Sequence, residues 1–127
     1  PDARREAFHA CVEITLSQGD SGSGASLRLP AGKRFQIEFV AAEGFLPAGQ
    51  KCLFSVIADG FGTIVGNRCH SSSTMPADEN CNGYVRASQP VRLLAAAGTP
   101  LTLRVDRDSA AGQGRLRMSV FGYLSPE

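Results

Sequence analysis

His70-Ser71-Ser72-Ser73 places a base directly beside three hydroxyls, the pairing from which nucleophilic catalysis is built. A working serine nucleophile needs its base at hydrogen-bond distance and a third group to orient that base, a geometry that sequence neighbours seldom reach. The chain also carries no Gly-x-Ser-x-Gly elbow. The segment therefore reads as a ligand-contacting polar loop, with His70, Ser72, Asp78 and Tyr84 as its binding candidates and no residue assigned to catalysis.

Oxygen-rich clusters are the next chemistry. Asp106-Arg107-Asp108, followed by Gly112 and Gly114, and separately Asp78-Glu79-Asn80, hold the ligand type that calcium prefers. Neither follows a calcium-loop template, and Asp, Asn and Gly serve turns without any ion, so no metal ligand is assigned and a structural calcium is the only cofactor considered. Glu13 and Glu38 sit at outward strand positions, where a facing pair of carboxylates would serve glycoside chemistry and where solvated sheet-face charges are the ordinary occupants. The exposed-ring chemistry of sugar recognition could draw on Phe45, Phe61, Tyr84 and Tyr123, in a chain without tryptophan.

Four cysteines, Cys11, Cys52, Cys69 and Cys81, are an even set with no closely spaced pair, which favours two disulfides over a zinc site. If the chain reverses at Gly60-Phe61, Cys52 faces Cys69 as a non-hydrogen-bonded pair and Cys11 is left for Cys81. If it reverses at Asp59-Gly60, Cys69 is free to close on Cys81 and Cys11 on Cys52. The first connectivity is preferred. Disulfides imply an oxidising compartment, hence a secreted or periplasmic location. The chain opens at Pro1 without an apolar leader, so an export signal is expected to be missing from it as it stands.

The elements that must hold these groups are strands. No long window carries a helical period, whereas apolar alternation recurs throughout. Phe8, Ala10, Val12, Ile14 and Leu16 share one face of a first strand, and residues 25–29 form a second. Phe35, Ile37, Phe39 and Ala41 are the core face of a third. Residues 51–58 and 63–68 flank Asp59-Gly60-Phe61-Gly62 as a hairpin, and residues 70–83, nearly devoid of apolar side chains, read as a long exposed loop. Residues 84–97 give two short strands interrupted at Pro90, which cannot donate a ladder hydrogen bond. Leu101, Leu103 and Val105, then Leu116, Met118 and Val120, complete the set.

This predicts one all-β domain over residues 1–127, with residues 1–6 a flexible tail. Its architecture is an antiparallel two-sheet sandwich, jelly-roll-like, with two disulfides. The net charge of +1 provides no field to draw nucleic acid, and no apolar run is long enough to insert in a bilayer as a helix.

Leu29-Pro-Ala-Gly-Lys-Arg-Phe-Gln-Ile-Glu-Phe39, with Ala87-Ser-Gln-Pro-Val-Arg-Leu93 and Phe121-Gly-Tyr-Leu124, resembles small exported bacterial β-sandwich proteins of uncharacterised function. The resemblance implies export and the sandwich fold, and it transfers no functional residue. The expected role is a non-enzymatic binding or adhesion module that presents the loop between Cys69 and Gly83 to a glycan or protein ligand. A loop-based hydrolase or carbohydrate-active enzyme, and a structural subunit associating through a sheet edge, are the alternatives.

Overall fold

A computed structural model describes residues 5–59 and 70–126. Among them are eight strands: β1 (Glu6–Leu16), β2 (Gly22–Arg28), β3 (Lys33–Phe45), β4 (Cys52–Asp59), β5 (His70–Pro76), β6 (Tyr84–Ala95), β7 (Pro100–Arg107) and β8 (Gly114–Pro126). They form two antiparallel four-stranded sheets, ordered β1-β8-β3-β6 and β2-β7-β4-β5. The first strand thus pairs with the last and the second with the seventh, so the chain is one long hairpin folded over into two layers. The alternation explains the layers: Ile14, Leu16, Phe35, Ile37, Leu116 and Met118 from one sheet meet Phe54, Val56, Leu101, Leu103 and Val105 from the other, all buried.

The face of β1 is as its alternation predicts, with Phe8, Ala10 and Val12 packed against that core. Of the tail expected over residues 1–6, residues 1–4 lie outside the described residues, and Glu6 pairs with Leu124. In β3 the alternation breaks. Phe35 and Ile37 point inward, then Val40 and Ala42 do, and Phe39 stands 39% exposed. The cause is a register shift: Ile37 pairs with Gly122 and Phe39 with Phe121, leaving Glu38 as an extra residue against β8. On the other side Ile37 pairs with Leu93 and Phe39 with Pro90, so the irregularity expected at Pro90 is present. The two short strands expected there are nonetheless a single strand, β6, on the sheet edge where proline is tolerated. Gly122 permits the shift, since a Cβ there would collide with the Gln36 carbonyl oxygen.

Two further expectations are corrected. The predicted loop over residues 70–83 is a strand through Pro76, with Met75 buried and the Ser73 hydroxyl accepting a hydrogen bond from Gln89 Nε2 (2.8 Å). An edge strand held by main-chain pairing to β4 needs few apolar side chains of its own. That pairing matches Asp59 with His70 and Leu53 with Pro76, overturning both hairpin registers considered from sequence. The expected strand over residues 63–68 lies outside the described residues.

The disulfides fall with the registers. Cys11, Cys52 and Cys81 are free thiols. Cys11 projects outward from β1, while Cys81 precedes β6 at the opposite edge of the same sheet. Three strand spacings separate those edges, about 14 Å, far beyond disulfide reach. Cys52 is buried in the other sheet, so a bond to Cys11 is equally excluded. Cys69 lies outside the described residues.

Buried polar side chains do the tying instead. Arg107 uses all five guanidinium hydrogens: Nε donates to Asp20 O (2.9 Å), Nη1 to Gln50 Oε1 (3.0 Å) and Ala111 O (3.2 Å), and Nη2 to Ser17 O (3.2 Å) and Gly112 O (2.8 Å). One side chain thereby joins three interstrand connections. Asn80 pins the connection from β5 to β6 by donating to Pro47 O and Gln50 O (both 3.0 Å) and accepting from Gly83 N (2.7 Å).

Candidate functional site

The pairing of β1, β8, β3 and β6 sorts their outward residues into rows that run across the sheet. One row is Glu13, Arg117, Glu43 and Arg86, alternating in charge. Arg117 Nη2 lies 3.7 Å from Glu13 Oε1, and Arg86 Nε lies 3.7 Å from Asp78 Oδ2, which extends the alternation past the edge strand. Two residues further along each strand, the row is Cys11, Ser119, Ala41 and Ser88, all small. Beyond it lies a row of rings: His9, Phe121, Phe39 and Pro90. His9 stacks on Phe121 with centroids 5.8 Å apart, and Phe39 tilts against Phe121 at 6.2 Å.

Beside the charged row the small residues leave a hollow of about 460 Å³, lined by Ala41, Glu43, Asp78, Arg86, Ser88 and Arg117 among others, and the rings of His9, Phe39 and Phe121 border a separate hollow of about 350 Å³. On the far side of the charged row a second pair of rings closes the face. Phe45 is 63% and Tyr84 37% exposed, their centroids 5.5 Å apart, and the Tyr84 hydroxyl donates to Glu43 Oε2 (2.6 Å). That hydrogen bond to a carboxylate holds the phenol proton and pushes the Tyr84 pKa above its ordinary value.

The register shift in β3 builds this face. Without the extra residue at Glu38, one unbroken alternation would put Phe39 in line with Phe35 and Ile37, inside the sandwich. Sequence reasoning placed Phe39 in the core for that reason and missed both it and Phe121. The signal that could have found them is Gly122 and Pro90, which fall on either side of β3 at Ile37 and Phe39 and mark a break in regular pairing.

The four ligand-contacting candidates do not converge. Tyr84 and Asp78 border the hollow. Ser72 is exposed on β5, opposite Ile57, in the other sheet. His70 enters only through its backbone pairing to Asp59. Glu13 and Glu38 are not a facing pair: Glu13 pairs with Arg117, and Glu38 lies at the register shift, 3.9 Å from Arg5 Nη2. The carboxylate on the same row as Glu13 is Glu43, with Arg117 between them. Of the other aromatic candidates, Tyr123 is covered by Arg5, whose guanidinium carbon sits 4.1 Å from the ring centroid, and Phe61 lies outside the described residues.

The two oxygen-rich clusters meet around a separate cavity of about 790 Å³ that reaches Cys52 and Leu53. Several of their oxygens are engaged by the protein. Asp106 accepts from Arg104 Nε (3.0 Å), Asp108 Oδ1 accepts from Lys51 N (3.0 Å), and Asn80 holds its own loop. Among the described residues no group of three or more His, Cys, Asp or Glu side chains is arranged to hold a metal ion. No helix among them is long and apolar enough to cross a membrane.

No protein-family model matches the chain, and no curated protein matches it. It is similar to a chain in the structure of infectious bursal disease virus Gt strain, at 12% sequence identity and a TM-score of 0.28. That alignment covers 98% of this chain and 41% of the viral one, so this chain spans about two-fifths of its length. A likeness that distant assigns neither fold nor role.

Proposed function

We propose that this protein is a non-enzymatic binding module whose working surface is the outer face of the β1-β8-β3-β6 sheet, with the Asn80-pinned connection at its margin. The strand order supports reading the scaffold as a jelly roll, two four-stranded sheets generated by rolling one long hairpin. The observation that carries the functional reading is the exposure of Phe39 and Phe121, each 39% accessible, side by side above a floor of small residues. A sheet face exposed only to water has no use for paired phenyl rings, whose burial against a partner is worth far more than their exposure. The opposite charged row supplies directional hydrogen bonds, so the face combines an apolar wall with a polar one, as ligand sites do.

With Cys11, Cys52 and Cys81 free, the cysteine argument for an oxidising compartment loses its footing, and the proposal concerns the surface alone. The test is selection from a glycan array and a displayed random-peptide library. Binders should be recovered that lose about tenfold or more in affinity on Phe39→Ala or Phe121→Ala. They should be indifferent to Leu53→Ser, which removes an exposed apolar side chain from the other sheet. Binders equally sensitive to both, or none recovered, would overturn the reading.

A further inference from the structure

We infer that the ligand of this face is an uncharged carbohydrate chain, an inference that rests on the binding reading above and specifies its chemistry. Charge narrows the choice first. Three carboxylates, Glu13, Glu43 and Asp78, alternate with two guanidiniums, Arg117 and Arg86, along one line across the sheet. Neighbouring strands are about 4.8 Å apart, so any ionic group of the ligand that met its opposite charge would meet a like charge one strand away. A neutral ligand suffers no such conflict.

Hydrogen-bonding capacity narrows it again. Carboxylates only accept and guanidiniums only donate, so the row offers acceptors and donors in turn at a regular spacing. Hydroxyl groups use both on a single atom, because each donates one hydrogen and accepts on two lone pairs. Beyond the small row, the exposed parts of the Phe39 and Phe121 rings add apolar surface suited to the C–H groups that line one side of a sugar ring. Beside the charged row, Ser119, Ala41 and Ser88 leave the room that a saturated ring needs and offer no deep apolar pocket for a side-chain anchor. A helix seeks a continuous apolar groove, and the charged row across this face interrupts one.

The experiment is an amide NMR titration of the whole chain with neutral hexasaccharides of β-linked glucose, xylose and N-acetylglucosamine and of α-linked glucose. A galacturonate hexasaccharide and a heparin hexasaccharide are the charged counterparts. At least one neutral sugar should shift the amides of Ala41, Ser88, Ser119 and Phe121. Phe121→Ala should weaken it about tenfold or more and Glu43→Gln measurably, each with native amide dispersion retained, and Leu53→Ser should leave it unchanged. Response to the charged sugars alone would overturn the inference. Peptides from the displayed library that shift the same amides while every sugar is silent would overturn the sugar class and leave the binding surface standing. Silence to sugars and peptides alike would overturn both.

Discussion

Cys52 and the two exposed cysteines differ only in surroundings, and that difference is measurable. Burial, reinforced by the Asp108 carboxylate, pushes the Cys52 thiol up to about 11 from an ordinary 9.0. Iodoacetamide at neutral pH should therefore label Cys11 and Cys81 rapidly and Cys52 only after denaturation, as read by peptide mass mapping. The same shift sets a pH dependence. Folded chains retain a proton that unfolded chains release first, so Cys52 leaves stability unchanged below about pH 9 and lowers it as pH rises toward about 11. The loss totals roughly 2–3 kcal/mol by the usual conversion. Denaturation midpoints near those two limits should differ less in Cys52→Ala than in the parent chain. Tyr84 offers a second titration: with Tyr123 replaced by Phe, its phenol should ionise above the normal range by ultraviolet absorbance, and Glu43→Gln should bring it down by removing the carboxylate that accepts its hydrogen.

At the scale of elements, the decisive features are a bulge and a staple. Gly122→Ala would push a Cβ into Gln36 O and Ile37 Cα, backbone atoms with no room to retreat. The expected cost is about 2–4 kcal/mol in chemical denaturation, against less than about 0.5 for Ser88→Ala on the same face. Arg107→Lys retains a positive charge and loses the planar fork that reaches the Ser17, Asp20, Ala111 and Gly112 carbonyls together. It should lower stability by about 3 kcal/mol and speed amide exchange in the connections it joins. Strand existence was legible where apolar residues alternate, as in β1, β7 and β8. It was illegible in β5, where Ser72, Ser73 and Thr74 owe their conformation to the pairing with β4 and to Met75 beneath, not to a pattern of their own. The β3 bulge was hidden for a related reason, because a register shift is a relation between strands.

For the whole molecule, the pairing of Glu6 with Leu124 means that the ends of the chain must meet before the first sheet is complete. Pairings of such separation in sequence make loop closure slow, so refolding is expected on the millisecond-to-second scale in stopped-flow fluorescence rather than in microseconds. The candidate site shares that dependence: its charged row takes Glu13, Glu43, Arg86 and Arg117 from four strands spread along the chain. A mispaired β1 would leave the hollow without one side. Tyr84 and Asp78 were legible in sequence as ligand-contacting residues and Glu13 as a sheet-face carboxylate, whereas the row that brings them to one face was not.

Alternating apolar residues, turn-forming glycines and prolines, and the lack of a helical period are local properties, and they suffice to dictate a β-rich chain with two buried faces. Which strand neighbours which is not local. It depends on the free energy of packing two sheets at once, and it decided that three cysteines stay apart, that Phe39 faces outward and that charges from four strands line up in one row. Side-chain period is a property of one strand, whereas a binding surface is made of contacts between several, and only the folded chain supplies those.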